Sequence, residues 1–531
     1  MSRSTTGRFN WLSPKKIRGY IKSIYQLRNT RLRVDKIEKL IRSSGATAFV
    51  GGGAGNVGKA PADALRPNVK FKTLLAEDFH INPKNFGNLY RFLKMTKSTV
   101  VVGLAKGSDR QKLTCANGNY EEHRELLEPY LPQLEALSKE QLLAFRYSDV
   151  PVFKSAKNEL LAFVLPKEEW QTSAIERENA QVLNHAWKHD REALLLCCAA
   201  AMYWIDYWRS FPNLNRYEIA FVFSGAHTYA AVLLEILRFT KVRAFVLETF
   251  MTGKHYFMEE RYTAIPNASR FQITAKRKME QLAIGDLERI HMHNAFVMQA
   301  NKNVKQPSEE TLQFTKDGRE ICLILGQVIN DYAFVCGSGS VLNTIPAYRG
   351  LIEGLLENPD RLVIFKAHPW ERNKNNAEQT FTEGYINQFL QQLPASARER
   401  VFVTTDWNLK QLFRVSDRIF TLSSQGGIEG ALAGFKPYLL GGGFYSSLGF
   451  THDYEDVGAL LTDLESGLLP STLSLSEYKQ MEDVLSALVL EHLIPVDGDA
   501  DAAIYNKLKP YPEVPHKQQG SSELAIVRDF A

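Results

Sequence analysis

No run of apolar residues in this 531-residue chain reaches the ~18 to 20 that a membrane-spanning helix needs. Met1 to Pro14 likewise holds no apolar stretch of the kind that leads a secreted chain. The expectation is a cytoplasmic protein, or one seated on a membrane from its cytoplasmic side. Cysteine is scarce. The five residues Cys115, Cys197, Cys198, Cys322 and Cys336 have no metal-ligand spacing and lie in apolar surroundings, as reduced thiols inside a cell do. The adjacent pair Cys197 and Cys198 falls in LLLCCAAAMYWI, which reads as helix core rather than a redox site. Excess charge of one sign is also missing, and a net +5 is too mild to single out nucleic acid as a partner. No internal repeat or low-complexity segment is visible. What is present is ample apolar material, 44% of the chain, enough for more than one sizeable core.

Residues 1–43 form a basic segment in which Trp11, Ile17, Tyr20, Ile24 and Tyr25 alternate with Lys and Arg. It is either a solvated helix or a surface for an anionic inner leaflet, each cation near the lipid contributing about 1 kcal/mol. Ala46 to Val50 reads as a first strand that runs into GGGAGNVGKA. There Gly53, Gly55 and Gly58 make G-x-G-x-x-G, with Glu77 and Asp78 following after the strand Phe71 to Ala76. Gly53 to Lys59 also matches most of a P-loop, but Ala60 stands where the magnesium-binding Ser or Thr belongs. The loop is thus either a dinucleotide site or a tight turn of a Rossmann-like unit.

Further strands are expected at Thr99 to Leu104, Ile219 to Phe223 and Arg243 to Leu247, with a charged helical insertion over Asn119 to Glu192. His227, just after the second of these, is either a helix-cap residue or a pocket histidine. Glu248 closes the third, where α/β folds place chemistry. Asn301 to Arg319 turns polar and marks a boundary. Beyond it strands at Ile321 to Gly326, Leu362 to Ala367, Val401 to Thr404, Ile419 to Leu422 and Pro437 to Leu440 alternate with helical stretches, implying a second parallel sheet. The organisation expected is α/β: a basic segment 1–43, a Rossmann-like unit 44–305, a second one over 320–510 and a tail 511–531. Two such units facing a cleft describe the GT-B arrangement.

The stretch Asp417 to Asp456 is chemically the most suggestive. A strand ends in Ser423 and Ser424, turns through Gly426 and Gly427 and starts a small-residue helix. Such a turn leaves backbone N–H groups and a partial positive charge for a phosphate, although the same serines would equally cap the helix. Glu429, one turn in, is either a surface residue or an acceptor for ribose hydroxyls. His368 and Pro369 end the strand LVIFKA, and Asp331 precedes a helix start that it could simply cap.

Four ordered segments carry a resemblance: Gln327 to Asp331 (Q-x-x-x-D), Lys366 to Pro369 (K-x-H-P), Ser423 to Leu432, and Phe444 to Asp453. Together they resemble the capsule polysaccharide biosynthesis family of bacterial glycosyltransferases, which includes retaining β-Kdo transferases of capsule and O-antigen assembly. The match spans mainly Ile219 to Asp456 and departs from the family pattern at Ala367, Gly430 and Phe450. Leu247 to Phe250 also departs, lacking the two acidic residues and glycine of many relatives.

The resemblance implies transfer of an acidic ulosonic sugar, Kdo from CMP-Kdo, with retention, onto a lipid-linked capsule or O-antigen glycan. Asp331 would be the nucleophile and Glu248 the acid/base toward the acceptor hydroxyl. Gln327, Lys366, His368, Pro369, Ser423, Ser424, Gly427 and Glu429 would bind the nucleotide. His227, Arg372, Tyr445 and Asp453 would line the donor or acceptor pocket, Asp453 being equally suited to bracing its own loop. A single donor phosphate needs modest neutralisation, so no cofactor and no metal are expected. Double displacement would set the two carboxylates about 5 Å apart, and inversion wider. Two alternatives stay open: an inverting transferase using a CMP-nonulosonate such as CMP-sialic acid, and a dinucleotide-dependent oxidoreductase or regulator built on Gly53 to Gly58.

Overall fold

The computed structural model describes residues 70–278, 284–297, 317–337, 339, 342–374 and 380–509. The basic segment, the strand at Ala46, the Gly53 to Gly58 loop, most of the polar boundary and the tail lie outside the described residues. Two six-stranded sheets organise the rest. The first holds β1 (Lys72–Glu77), β2 (Thr99–Leu104), β5 (Ile219–Phe223), β6 (Arg243–Thr249) and β7 (His255–Glu260); β3 (Arg146–Tyr147) and β4 (Val150–Pro151) make a separate small hairpin. The second comprises β8 (Glu320–Leu325), β9 (Arg361–Lys366), β10 (Val401–Thr404), β11 (Arg418–Thr421), β12 (Tyr438–Leu439) and β13 (His452–Asp453), all parallel.

The expected strands among the described residues sit within a residue or two of their bounds, and most are the continuous apolar runs of parallel strands covered on both faces. The segments IAFVF and RLVIFK are buried along nearly their whole length. Strand order is the informative feature. In the second sheet the order β10-β9-β8-β11-β12-β13 puts the topological switch between β8 and β11, and in the first sheet it lies between β1 and β5. Open α/β sheets bind ligands beyond the strand C-termini at such points. The α/β, GT-B-like expectation therefore holds, with one addition: β7 runs antiparallel to β6 and makes the first sheet mixed.

A second addition corrects the boundary at 510. β14 (Ile494–Pro495) pairs with β7, and Ala500, Ile504 and Leu508 pack in one apolar cluster with Phe71, Leu75 and Phe245. Residues 494–508, placed by sequence in the second unit, return to the first and stitch the two together. Three acids alternate in this returning segment, at Asp497, Asp499 and Asp501. Asp499 and Asp501 are paired there with Arg91, at 3.7 and 2.9 Å, at the outer edge of the first sheet.

The helical insertion packs as the core of the first unit. The long helix that follows it, Arg191–Ser210, buries Cys197 and Cys198 completely, and burial pushes the Cys198 thiol up to about 12, so neither is a reactive thiolate at neutral pH. Among the described residues no helix is long and apolar enough to cross a membrane.

Candidate active site

The switch point of the second sheet brings the motif segments together. Gln327 follows β8 and Ser423 follows β11; the Ser423 hydroxyl donates to Gln327 Oε1 at 3.0 Å, and both side chains are buried. Asp331 stands four residues beyond Gln327, as N-cap of the short helix Tyr332–Val335, where Oδ1 accepts the Ala333 N–H at 3.0 Å. The capping alternative is thus realised in geometry. It does not exclude a catalytic role, because a cap uses one carboxylate oxygen and also fixes the side-chain rotamer. His368 lies just past β9. Its Nδ1 accepts the Trp370 N–H at 3.2 Å, which leaves the proton of the neutral ring on Nε2 as a donor. Burial holds this imidazole below its usual range, opposed by the nearby Asp331 carboxylate and helped by Lys366, so the neutral ring is the resting form.

Glu248 comes from the other unit. It lies inside β6, one residue before its end, and its Oε1 accepts the Thr249 N–H at 2.9 Å. Burial pushes its carboxyl up to about 7. Ser224 and the Thr249 N–H pull the value down, as does His80, whereas Asp331 raises it further. Glu248 and His368 each feel the charge of the same Asp331, so the three groups lie near enough for their charges to interact. His227, at the switch point of the first sheet, reaches the second unit too: its ring meets Tyr332, the neighbour of Asp331, at a centroid separation of 4.8 Å.

Other expected site residues have different positions. The helix Gly426–Leu432 is only seven residues long, and its first N–H groups are consumed internally. Gly426 donates to Ser424 Oγ, Gly427 to the Ser424 carbonyl, and Ile428 and Glu429 to the Gln425 carbonyl. The expected open phosphate cradle at this turn is therefore closed. Gly427 is required for packing, since a Cβ there would run into the Tyr445 hydroxyl. Tyr445 is itself buried and donates to the Ser424 carbonyl, so it braces the turn and does not line a pocket. Asp453 is exposed and accepts from Ser447 N–H and Thr451 Oγ1, the loop-bracing alternative. Lys366 is buried with its ammonium donating to the Thr405 carbonyl, and burial brings its value down to about 8. Arg372 pairs with Asp406 at 2.9 Å, also turned to the protein. Pro369 makes the turn into the helix Trp370–Lys374. Glu429 is half-buried one turn into its helix.

Two side chains that frame the site escape a sequence reading. Glu371 is completely buried; its Oε1 accepts the Ile329 N–H at 2.7 Å and the Thr382 hydroxyl at 3.0 Å, and its Oε2 the Thr382 N–H at 2.9 Å. It bolts the loop of Asp331 to the segment of His368. Arg177, from the first unit, donates to the carbonyls of Phe334, Val335 and Gly339 at 2.7 to 2.9 Å, and so closes the C-terminal end of the helix that Asp331 caps. Such buried carbonyls need partners. Their donor here lies more than 150 residues away.

With this geometry, comparison with known proteins adds a family. Residues 281–458 match the model of the family described as capsule polysaccharide biosynthesis protein. Among solved structures, the chain is similar to Thermosulfurimonas dismutans KpsC, beta Kdo 2,4 transferase, at 18% identity over 50% of this chain and 79% of that one, with a TM-score of 0.33. It is also similar to the beta Kdo 2,7 transferase of the same KpsC, at 17% identity, 57% and 87% coverage and a TM-score of 0.32. The glycosyltransferase SnogD from Streptomyces nogalater follows at 12% identity, covering 80% of this chain and 99% of that one, with a TM-score of 0.25. At these scores none of the three carries weight for function. No curated protein matches the chain. The span holding Gln327, Asp331, His368 and Ser423 therefore carries, within residues 281–458, the domain of the capsule polysaccharide biosynthesis protein family.

Proposed function

We propose that this protein is a glycosyltransferase that moves Kdo from CMP-Kdo, with retention, onto a bacterial capsule or O-antigen glycan. The observation that supports the reading is the packing of Tyr332, the neighbour of Asp331, against His227 of the first unit, with Glu248 near enough to Asp331 for their charges to interact. The donor is taken from the motif resemblance and the family domain. In the first step an Asp331 carboxylate oxygen attacks the anomeric carbon, and the bond from that carbon to the phosphate oxygen breaks with its electron pair leaving on CMP. The His368 Nε2–H donates to the departing phosphate, which needs no acid of its own because a phosphate monoester is a weak base. In the second step the acceptor oxygen attacks, the bond to Asp331 breaks, and Glu248 takes the hydroxyl proton. No metal enters this scheme. The basic segment 1–42 is the part of the chain suited to an anionic inner leaflet, where a lipid-linked acceptor would be held.

The role of Glu248 has a pH consequence. A base must be ionised to act, and its value in the folded protein is about 7. Transfer is expected to rise with pH through a midpoint near that value, and Glu248→Gln should be slow throughout and lack the limb. A pH–rate profile of the two proteins checks this.

Nucleotide preference tests the donor class. CMP at about 100 times its Kd should stabilise the protein by about 2.7 kcal/mol, read as a rise in melting temperature. A rise with NAD or ATP and none with CMP would sink the reading in favour of the glycine-loop alternative.

A further inference from the structure

Apart from the reacting pair and Glu371, a further carboxylate near Tyr332 is enclosed by donors. Glu159, on the helix Val152–Val164, is buried and accepts hydrogen bonds from the Tyr120 hydroxyl, from Thr228 Oγ1 at 2.7 Å and from His227 Nδ1 at 3.1 Å. A carboxylate so placed is an acceptor only, so the hydrogen between it and His227 belongs to Nδ1. A ring that carries its single proton on Nδ1 presents Nε2 as an acceptor, the reverse of His368. Nε2 has no hydrogen-bond partner among the described residues, and the side chain keeps 11% of its surface exposed. Its ring is flanked by His80, nearly parallel at 5.9 Å and 9°, by Tyr229, at 5.8 Å and 19°, and by Tyr332 of the second unit, at 4.8 Å and 63°. With its faces covered by neighbouring rings, His227 has its unpartnered Nε2 left for a ligand, one residue's packing away from Asp331, and a lone acceptor so placed suits a sugar hydroxyl.

We propose that His227 contacts the acceptor glycan, its Nε2 accepting a hydrogen bond from a hydroxyl next to the one that reacts, with Glu159 the positioning residue that fixes the ring and its tautomer. The inference rests on the glycosyl-transfer reading. It gives the first unit an acceptor subsite distinct from Glu248: His227 selects and orients, and Glu248 takes the proton. Because Nε2 accepts and does not donate, the group recognised is a hydroxyl, not a carboxylate.

Two measurements on the full-length protein decide it. In the first, CMP-Kdo is supplied with methyl glycosides of Kdo and of galactose as acceptor probes, and transfer is read against CMP release without acceptor. His227→Phe should lower the ratio of transfer to acceptor-free release about tenfold, with a raised KM for the glycoside, as expected for one lost hydrogen bond. His227→Gln, whose amide oxygen can accept, should recover part of that ratio, and Glu159→Gln should lower it less than His227→Phe. An unchanged ratio in His227→Phe would overturn the proposal. In the second, ¹⁵N-histidine NMR should place the His227 proton on Nδ1; a proton on Nε2 overturns the proposal whichever acceptor is used. Absence of CMP release by the wild type would instead refute the transfer reading itself.

Discussion

Asp331→Asn should cut turnover of CMP-Kdo on the order of 10³-fold or more, with little change in melting temperature. The two halves of that expectation separate the roles that one residue holds. As a cap, Asp331 accepts the Ala333 N–H, and asparagine caps about as well as aspartate, so the helix Tyr332–Val335 should survive. As a nucleophile, Asp331 must supply a carboxylate oxygen to the anomeric carbon, which an amide cannot do, and loss of a nucleophile costs several orders of magnitude. Rate of CMP release together with thermal unfolding gives both answers in one set of samples. A variant that kept full activity would leave Asp331 a cap and nothing more.

The second large effect concerns Glu371, which touches no reacting atom. Glu371→Ala would strand two buried backbone N–H groups, those of Ile329 and Thr382, and leave the Thr382 hydroxyl only the Gln327 carbonyl at 3.5 Å. At about 1–3 kcal/mol for each unsatisfied group, the loss should be about 4 kcal/mol or more. Glu371→Gln keeps one acceptor oxygen and should cost about half as much. Since Ile329 lies two residues before Asp331, the loop should shift as well, and a displacement near 1 Å is worth about 10² in rate. Denaturation monitored beside CMP release should show both falling in Glu371→Ala. If stability fell and activity did not, the bolt would serve the fold alone.

These contrasts also separate what the sequence can say from what it cannot. IAFVF and RLVIFK were legible as strands because covered parallel strands leave a continuous apolar signature, and TVVVGL, an edge strand with exposed valines, because of its β-branched run. The order of Gln327, Asp331, His368 and Ser423 was legible as a set because each closes or follows a strand, and the switch between β8 and β11 then brings Gln327 and Ser423 into direct contact. The turn at Gly426 misleads for a physical reason. Its residues are those of an anion site, yet the Ser424 hydroxyl and the Ser424 and Gln425 carbonyls, two to four residues away, consume the N–H groups, and Gly427 makes room for the Tyr445 hydroxyl. The partners of Glu371 are largely backbone atoms, which have no letter in a sequence. Glu159 and His227 are 68 residues apart, and the only hint is a single acid within the apolar face of SAKNELLAFV. The return of Ile494 to Leu508 was equally hidden, since an apolar strand and helix suit either sheet until β7 offers an open edge.

The central claim is that Asp331, Glu248 and His368 form one site for transfer from a CMP-activated acidic sugar. Mass spectrometry of the purified protein incubated with CMP-Kdo and an acceptor glycan tests it most directly. The account predicts free CMP and a glycan extended by one Kdo, both lost in Asp331→Asn. Intact CMP-Kdo with the wild-type protein, or equal turnover by Asp331→Asn, would contradict it.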